Sequence, residues 1–277
     1  MIEFGCHTWA FNDLTLSEAL GTIARLGFRY VDLGSGPGLN SARAATNPRK
    51  TANEITEDLD FFNLKISDLY LMLPRISLDD DERRAKDIEI FQALMPFAQA
   101  LKTPGITVSP GLAHAPEDTA AFARTTEALR ALVAAGEKVK IPVSIEPHVD
   151  SMAATPEAAL KLIDAVPGLG ITLDWAQMIY QNIKHSEIIR LLPHVRHVQI
   201  RSATRTRLQT PFEKGRIDLP RMLGALLDAE YDGVITVETT LLSGRYGIQP
   251  VNAAREVTNI RDALRDTRNT LLKSTAT

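Results

Sequence analysis

Residues 142–174, PVSIEPHVDSMAATPEAALKLIDAVPGLGITLD, hold two short β-branched runs, each closed by an acid, on either side of an amphipathic helical pattern. Runs this short and apolar fit strands buried on both faces, and the pattern over 156–165 fits the helix crossing between them. Thr155 stands where a helix N-cap belongs. The stretch reads as one βαβ unit of a parallel sheet.

The same alternation continues in both directions. Strand patterns fall at 2–7, 29–33, 64–70, 105–109, 142–146, 170–174, 195–200 and 233–238. Helical patterns fall at 16–26, 49–62, 80–101, 116–138, 156–165, 186–192, 219–229 and 253–272, with Asp118 and Asp218 as further capping residues. Eight alternating pairs predict an α/β fold, a single (β/α)8 TIM barrel spanning 1–277 as one domain, a size usual for such barrels. No glycine-rich phosphate loop follows the first strand and no linker divides the chain, which argues against a two-domain dinucleotide-binding fold. The tail 274–277 is expected to fray.

Composition narrows the function classes. With 44% apolar and 23% charged residues and a mean hydropathy of -0.07, the chain can bury a large core. No apolar run reaches the length of a membrane span, and the start MIEFGCHTWAF lacks a basic region followed by an apolar one, so we expect no membrane and no export. The single Cys6 needs no oxidising compartment, and a cytoplasmic location is expected. A net charge of -3 gives no general attraction to nucleic acid.

In a barrel of this kind chemistry sits at the carboxyl ends of the strands. Glu146, Asp174 and Glu238 each close an apolar run in the same relative place. Three acids converging at one rim repel one another unless a cation lies between them, so a divalent metal is expected. Helix capping or pairing with a rim arginine is the other use of such acids. His197, Gln199 and Arg201 share one face of the seventh strand by period-two alternation, and the same period aligns His148 with Glu146. With the amide oxygen of Gln199 added, the donor set is oxygen-rich and suits Mn or Mg better than Zn. His7 and Trp9 after the first strand, with Asp68 and Tyr70 on the third, are candidates to line a sugar pocket, and Trp175 to wall it. Residues 201–217 carry five cations against Glu213, a basic loop where barrels often take anions; parity points Arg201 at the site.

At GFRYVDL (27–33), SIEPH (144–148), LDWAQ (173–177), HVRHVQIR (194–201), GRIDLPRMLGALLDAEYDG (215–233) and VETT (237–240) the chain resembles the xylose isomerase-like superfamily of sugar isomerases and epimerases. The resemblance implies one divalent metal, Mn first and Mg second, held by four ligands that fall on Glu146, Asp174, Gln199 and Glu238. It also implies that Glu146 and Glu238 act as acid/base groups on a keto-sugar, through proton abstraction beside the carbonyl and an enediolate. The chain departs from the family pattern twice. Gln199 stands for the metal-binding His, and Gln177 for a His that touches substrate. The set EPH, VPGL, TLD and RLQTPF also resembles catalytic subunits of C-glycoside deglycosidases. That likeness implies a lyase acting on 3-keto glycosides, with His148 handling the phenolic proton and a small β-sandwich partner subunit. Otherwise association of like chains into a homo-oligomer is expected. A sugar-binding barrel with a degenerate metal site is the non-catalytic alternative. An abasic-site nuclease, which shares the barrel, needs a His-rich metal cluster and a basic face that this chain lacks.

Overall fold

The computed structural model describes residues 1–36, 38–241 and 244–274. Eight parallel strands close into a barrel in chain order: β1 (Glu3–His7), β2 (Tyr30–Gly34), β3 (Lys65–Leu71), β4 (Ile106–Val108), β5 (Val143–Ile145), β6 (Leu169–Asp174), β7 (Val195–Ile200) and β8 (Val234–Val237), with β8 pairing back to β1. This is the TIM-barrel fold expected from the alternation. The helices are α1 (Leu16–Arg25), α2 (Ser41–Thr46), α3 (Pro48–Phe61), α4 (Asp81–Leu101), α5 (Thr119–Lys138), α6 (Pro156–Ala165), α7 (Trp175–Tyr180), α8 (His185–Ile188), α9 (Leu219–Asp228) and α10 (Ala253–Ser274).

Local chemistry sets the boundaries. The side chains of Asp118, Thr155 and Asp218 accept backbone N–H groups of Ala121, Ala158 and Arg221, so α5, α6 and α9 start one residue later. The helical pattern over 116–138 therefore begins only at Thr119. Two short helices, α2 and α7, were not expected, and the pattern over 186–192 is the short α8 continued by a 3-10 turn over Ile189–His194. Of the tail expected to fray, 275–277 lie outside the described residues, whereas Ser274 closes α10. No helix among the described residues is long and apolar enough to cross a membrane.

The apolar core lies between the sheet and the helices, built from outward strand residues such as Phe4, Cys6, Val31, Ile145 and Val237 against Leu20, Phe91, Leu129 and Leu264. Inside the barrel the filling is polar, whereas such interiors are usually dominated by branched apolar side chains. Arg196, near the start of β7, reaches inward and gives its Nη2 to Asp68 at 2.7 Å and Ser144 at 2.7 Å, while Thr172 bonds both Thr107 and Ser144 at 2.7 Å. Gly105 makes this possible, because a Cβ there would overlap the guanidinium. Above this plug Asp32 accepts hydrogen bonds from Ser67 at 2.6 Å, Thr236 at 3.1 Å and Gln199 at 3.3 Å, and pairs with His197 at 2.7 Å. A register shift between Val31 and Asp32 re-aims this stretch of β2.

Candidate active site

The carboxyl ends of β5, β6 and β8 bring Glu146, Asp174 and Glu238 together, with one ligand oxygen from each lying within 4.8 Å of the others. They are 4%, 0% and 3% exposed, so the repulsion among them is not relieved by water. Arg201 reaches in from the residue after β7, and its Nη2 lies 3.0 Å from Asp174 Oδ2 and 2.7 Å from Glu238 Oε1. Asp174 Oδ1 caps α7 by accepting from Ala176 N–H at 2.9 Å. The Tyr70 hydroxyl donates to Glu146 Oε2. The cap and the rim-arginine pairing weighed against a metal site are thus both present, at Asp174.

Buried acceptors remain. Glu146 Oε1, Glu238 Oε2 and Gln199 Oε1 receive no hydrogen bond from the described residues. Gln199 is the register partner of Asp174, and its Nε2 is spent on Asp32. Three bare oxygens beside a group with more negative than positive charge suit a hard divalent cation. Burial pushes the Asp174 carboxyl up to about 6 against the pull of Arg201, with Glu146 adding to the rise. Burial also raises Glu238 well above the usual carboxylate range, helped by Glu146 and Asp174.

His7, Trp9 and Tyr70 form an aromatic group beside the acids, with ring centroids 4.4 Å apart for His7–Trp9 and 4.9 Å for Trp9–Tyr70. Gly34 leaves room for it, since a Cβ there would overlap both His7 and Trp9. The backbone N–H of Trp9 donates to His7 Nδ1, so the neutral ring carries its proton on Nε2, a buried donor with no acceptor among the described residues. Burial lowers His7 to about 4. The sign follows: a folded value below the unfolded 6.5 contributes stability present above pH 6.5 and lost as the pH falls toward 4. Relative to His7→Gln, wild type should lose about 3 kcal/mol across that window in urea unfolding. Parallel curves for the two proteins would refute it.

Other expected site residues fall elsewhere. Asp68 turns down to Arg196 at 2.7 Å and belongs to the plug, not to a sugar pocket. Trp175 is buried in the apolar core, 6.0 Å from the His185 ring, and does not wall the carboxylate cluster. Gln177 Oε1 accepts from Val149 N–H at 3.2 Å, tying α7 to the loop after β5. His148 lies outside the acid cluster, since β5 ends at Ile145 and the period-two alignment with it. Its Nδ1 donates to Val149 O at 2.8 Å and its Nε2 meets Ser109 Oγ at 3.2 Å. Of the basic loop only Arg201 enters the site. Arg205, Arg207, Lys214 and Arg216 are exposed and line an outer cavity of about 600 Å³ with Ile179 and Asn182. Asp32 and Arg196 were missed by sequence reasoning, although a charge inside an apolar strand run was available as the signal in both.

Loops that follow the strands are tied to one another. Leu112 bridges Ser151 from β4 to β5, and the Tyr246 hydroxyl donates to Asp150 at 2.6 Å, joining the loops after β8 and β5.

The sequence model for the xylose isomerase-like TIM barrel matches residues 20–265. No curated protein sequence matches the chain. Among solved structures, L-ribulose 3-epimerase superposes with a TM-score of 0.78 at 16% identity, covering 100% of this chain and 97% of that one. D-psicose 3-epimerase from Clostridium cellulolyticum H10, with D-tagatose, gives 0.77 at 14% identity, with coverages of 96% and 99%. The 3-keto-D-glucoside 4-epimerase YcjR from E. coli gives 0.75 at 16% identity, with 96% and 100%. At these identities the likeness is one of fold.

Proposed function

The chain belongs to the xylose isomerase-like TIM barrel family, and from that premise we propose that it is a sugar isomerase or epimerase that moves a proton at the carbon beside a substrate carbonyl. One observation carries the reading. Acids from the ends of β5 and β8 face a common point, each with one buried oxygen that no donor among the described residues satisfies. The sugar epimerases among the structural neighbours support the choice of substrate class.

The residues divide the work as follows. Tyr70 holds Glu146 by Oε2, leaving Oε1 to take the proton from the substrate carbon. Glu238, whose carboxyl burial raises well above the usual carboxylate range, serves as the acid that returns a proton to the other face through Oε2. Return to the same carbon with inversion gives an epimer, and return to the neighbouring carbon an isomer. The Nε2–H of neutral His7 donates to a substrate oxygen, and Trp9 offers its ring to an apolar sugar face. A divalent ion, Mn or Mg, held by Glu146, Asp174, Glu238 and the Gln199 amide oxygen, would polarise the carbonyl and acidify the adjacent C–H.

The test is solvent exchange. Protein supplied with Mn²⁺ and a panel of ketoses and 3-keto-glucosides in deuterated water should place deuterium beside the carbonyl of at least one sugar, with an epimer or isomer as product. Absence of exchange across the panel, or release of an aglycone as the product, would overturn the assignment.

A further inference from the structure

The carboxylate cluster already contains a cation. One nitrogen of Arg201, Nη2, lies between Asp174 Oδ2 at 3.0 Å and Glu238 Oε1 at 2.7 Å, bridging the two as a single ion would. Both contacts use Nη2 and not the two-nitrogen fork that best serves a carboxylate, and Nε is buried with no partner among the described residues. It is 5% exposed, and among the described residues its ion pairs are with Asp174 and Glu238.

The oxygen inventory shows what this means for a metal. Of the six carboxylate oxygens, four are engaged: Asp174 Oδ1 by Ala176 N–H, Asp174 Oδ2 and Glu238 Oε1 by Arg201, and Glu146 Oε2 by Tyr70. Both Asp174 oxygens thus already face a donor, and an ion bridging Asp174 Oδ2 and Glu238 Oε1 would compete with Nη2 for the same place. Two cations side by side on the same buried carboxylates would repel strongly in a medium of low dielectric. The usual imidazole ligand is also replaced, at Gln199, by an amide whose nitrogen is committed to Asp32.

We propose that Arg201 is the resident cation of this cluster, and that a divalent ion engages Asp174 and Glu238 only by displacing its guanidinium. The Arg201 bridge and the metal are then alternative states of one site. Displacement would free the guanidinium to meet an anionic or hydroxyl group of the substrate, so metal loading and the placing of Arg201 are one event. The inference rests on the cation-site reading of the cluster given above, and on nothing about sugar turnover.

The experiment uses the metal alone. Chelator-treated full-length wild type, Arg201→Met and Arg201→Gln are titrated with Mn²⁺ by calorimetry, with circular dichroism confirming that each is folded. Both variants should bind one Mn²⁺ about tenfold or more tightly than wild type, because the competing cation is gone. In parallel, wild type labelled with ¹⁵N-arginine is titrated with Mg²⁺. The slowly exchanging guanidinium signal assigned to Arg201 should shift or vanish at the ion concentration that saturates the site, and this readout needs no variant. Equal or weaker Mn²⁺ affinity in folded variants, or Mg²⁺ binding that leaves the Arg201 signal in place, would overturn the proposal. A protein inactive on every sugar would still give these readouts, so the two readings fail separately.

Discussion

Glu238→Gln should lower the rate of solvent deuterium exchange into a turned-over sugar by about 10³-fold, within the range that positioned acid/base groups contribute. The amide keeps the size of the side chain, and its oxygen can still lie against Arg201 Nη2, which is 2.7 Å from Glu238 Oε1. What it loses is the titratable proton of Glu238, a carboxyl that burial and the neighbouring Glu146 and Asp174 raise above the usual range. Removing a buried group whose charged form is disfavoured costs the fold little, so thermal unfolding should shift by only a few degrees. Rate and stability separate in this variant, and that separation distinguishes a proton donor from a structural acid. A rate within tenfold of wild type would remove Glu238 from the reaction.

The second large effect lies at the other end of the barrel. Arg196→Met should destabilise the fold by about 3–5 kcal/mol, the usual cost of leaving one member of a buried ion pair alone. Asp68 is fully buried, and burial already raises its carboxyl against the pull of Arg196. The Arg196 side chain is only 17% exposed and also bonds Ser144 and Thr107, which keep Thr172 as a partner, so its removal leaves the Asp68 carboxylate without its counter-charge. Urea unfolding of Arg196→Met, Asp68→Leu and the double variant measures the coupling. The double variant should recover most of the loss, since a neutral pair needs no counter-charge. A loss below about 1 kcal/mol for Arg196→Met, the scale of an exposed pair, would mean that the plug is not what holds Asp68.

How far the sequence carried can be judged from particular residues. Short β-branched runs and capping residues such as Thr155 located all eight strands to within a residue or two, because alternation and capping are short-range properties. The acids at 146, 174 and 238 were equally legible, since a charge closing an apolar run marks the strand end. The period-two rule failed at His148, because β5 stops at Ile145 and the chain beyond it turns through loop contacts with Val149 and Ser109. It also misled at Asp68, whose parity was right but whose partner, Arg196, lies far along the chain.

Sequence alone thus determined the (β/α)8 order, the strand ends and the three acids, because each rests on periodicity or on neighbours within a few residues. The tertiary structure decided which charges meet: Asp32 with His197, Asp68 with Arg196, and Arg201 with Asp174 and Glu238. Those pairings arise when closure of the barrel brings residues from distant strands into one interior, where the cost of leaving a buried charge alone selects its partner. Nothing local to either residue encodes that choice.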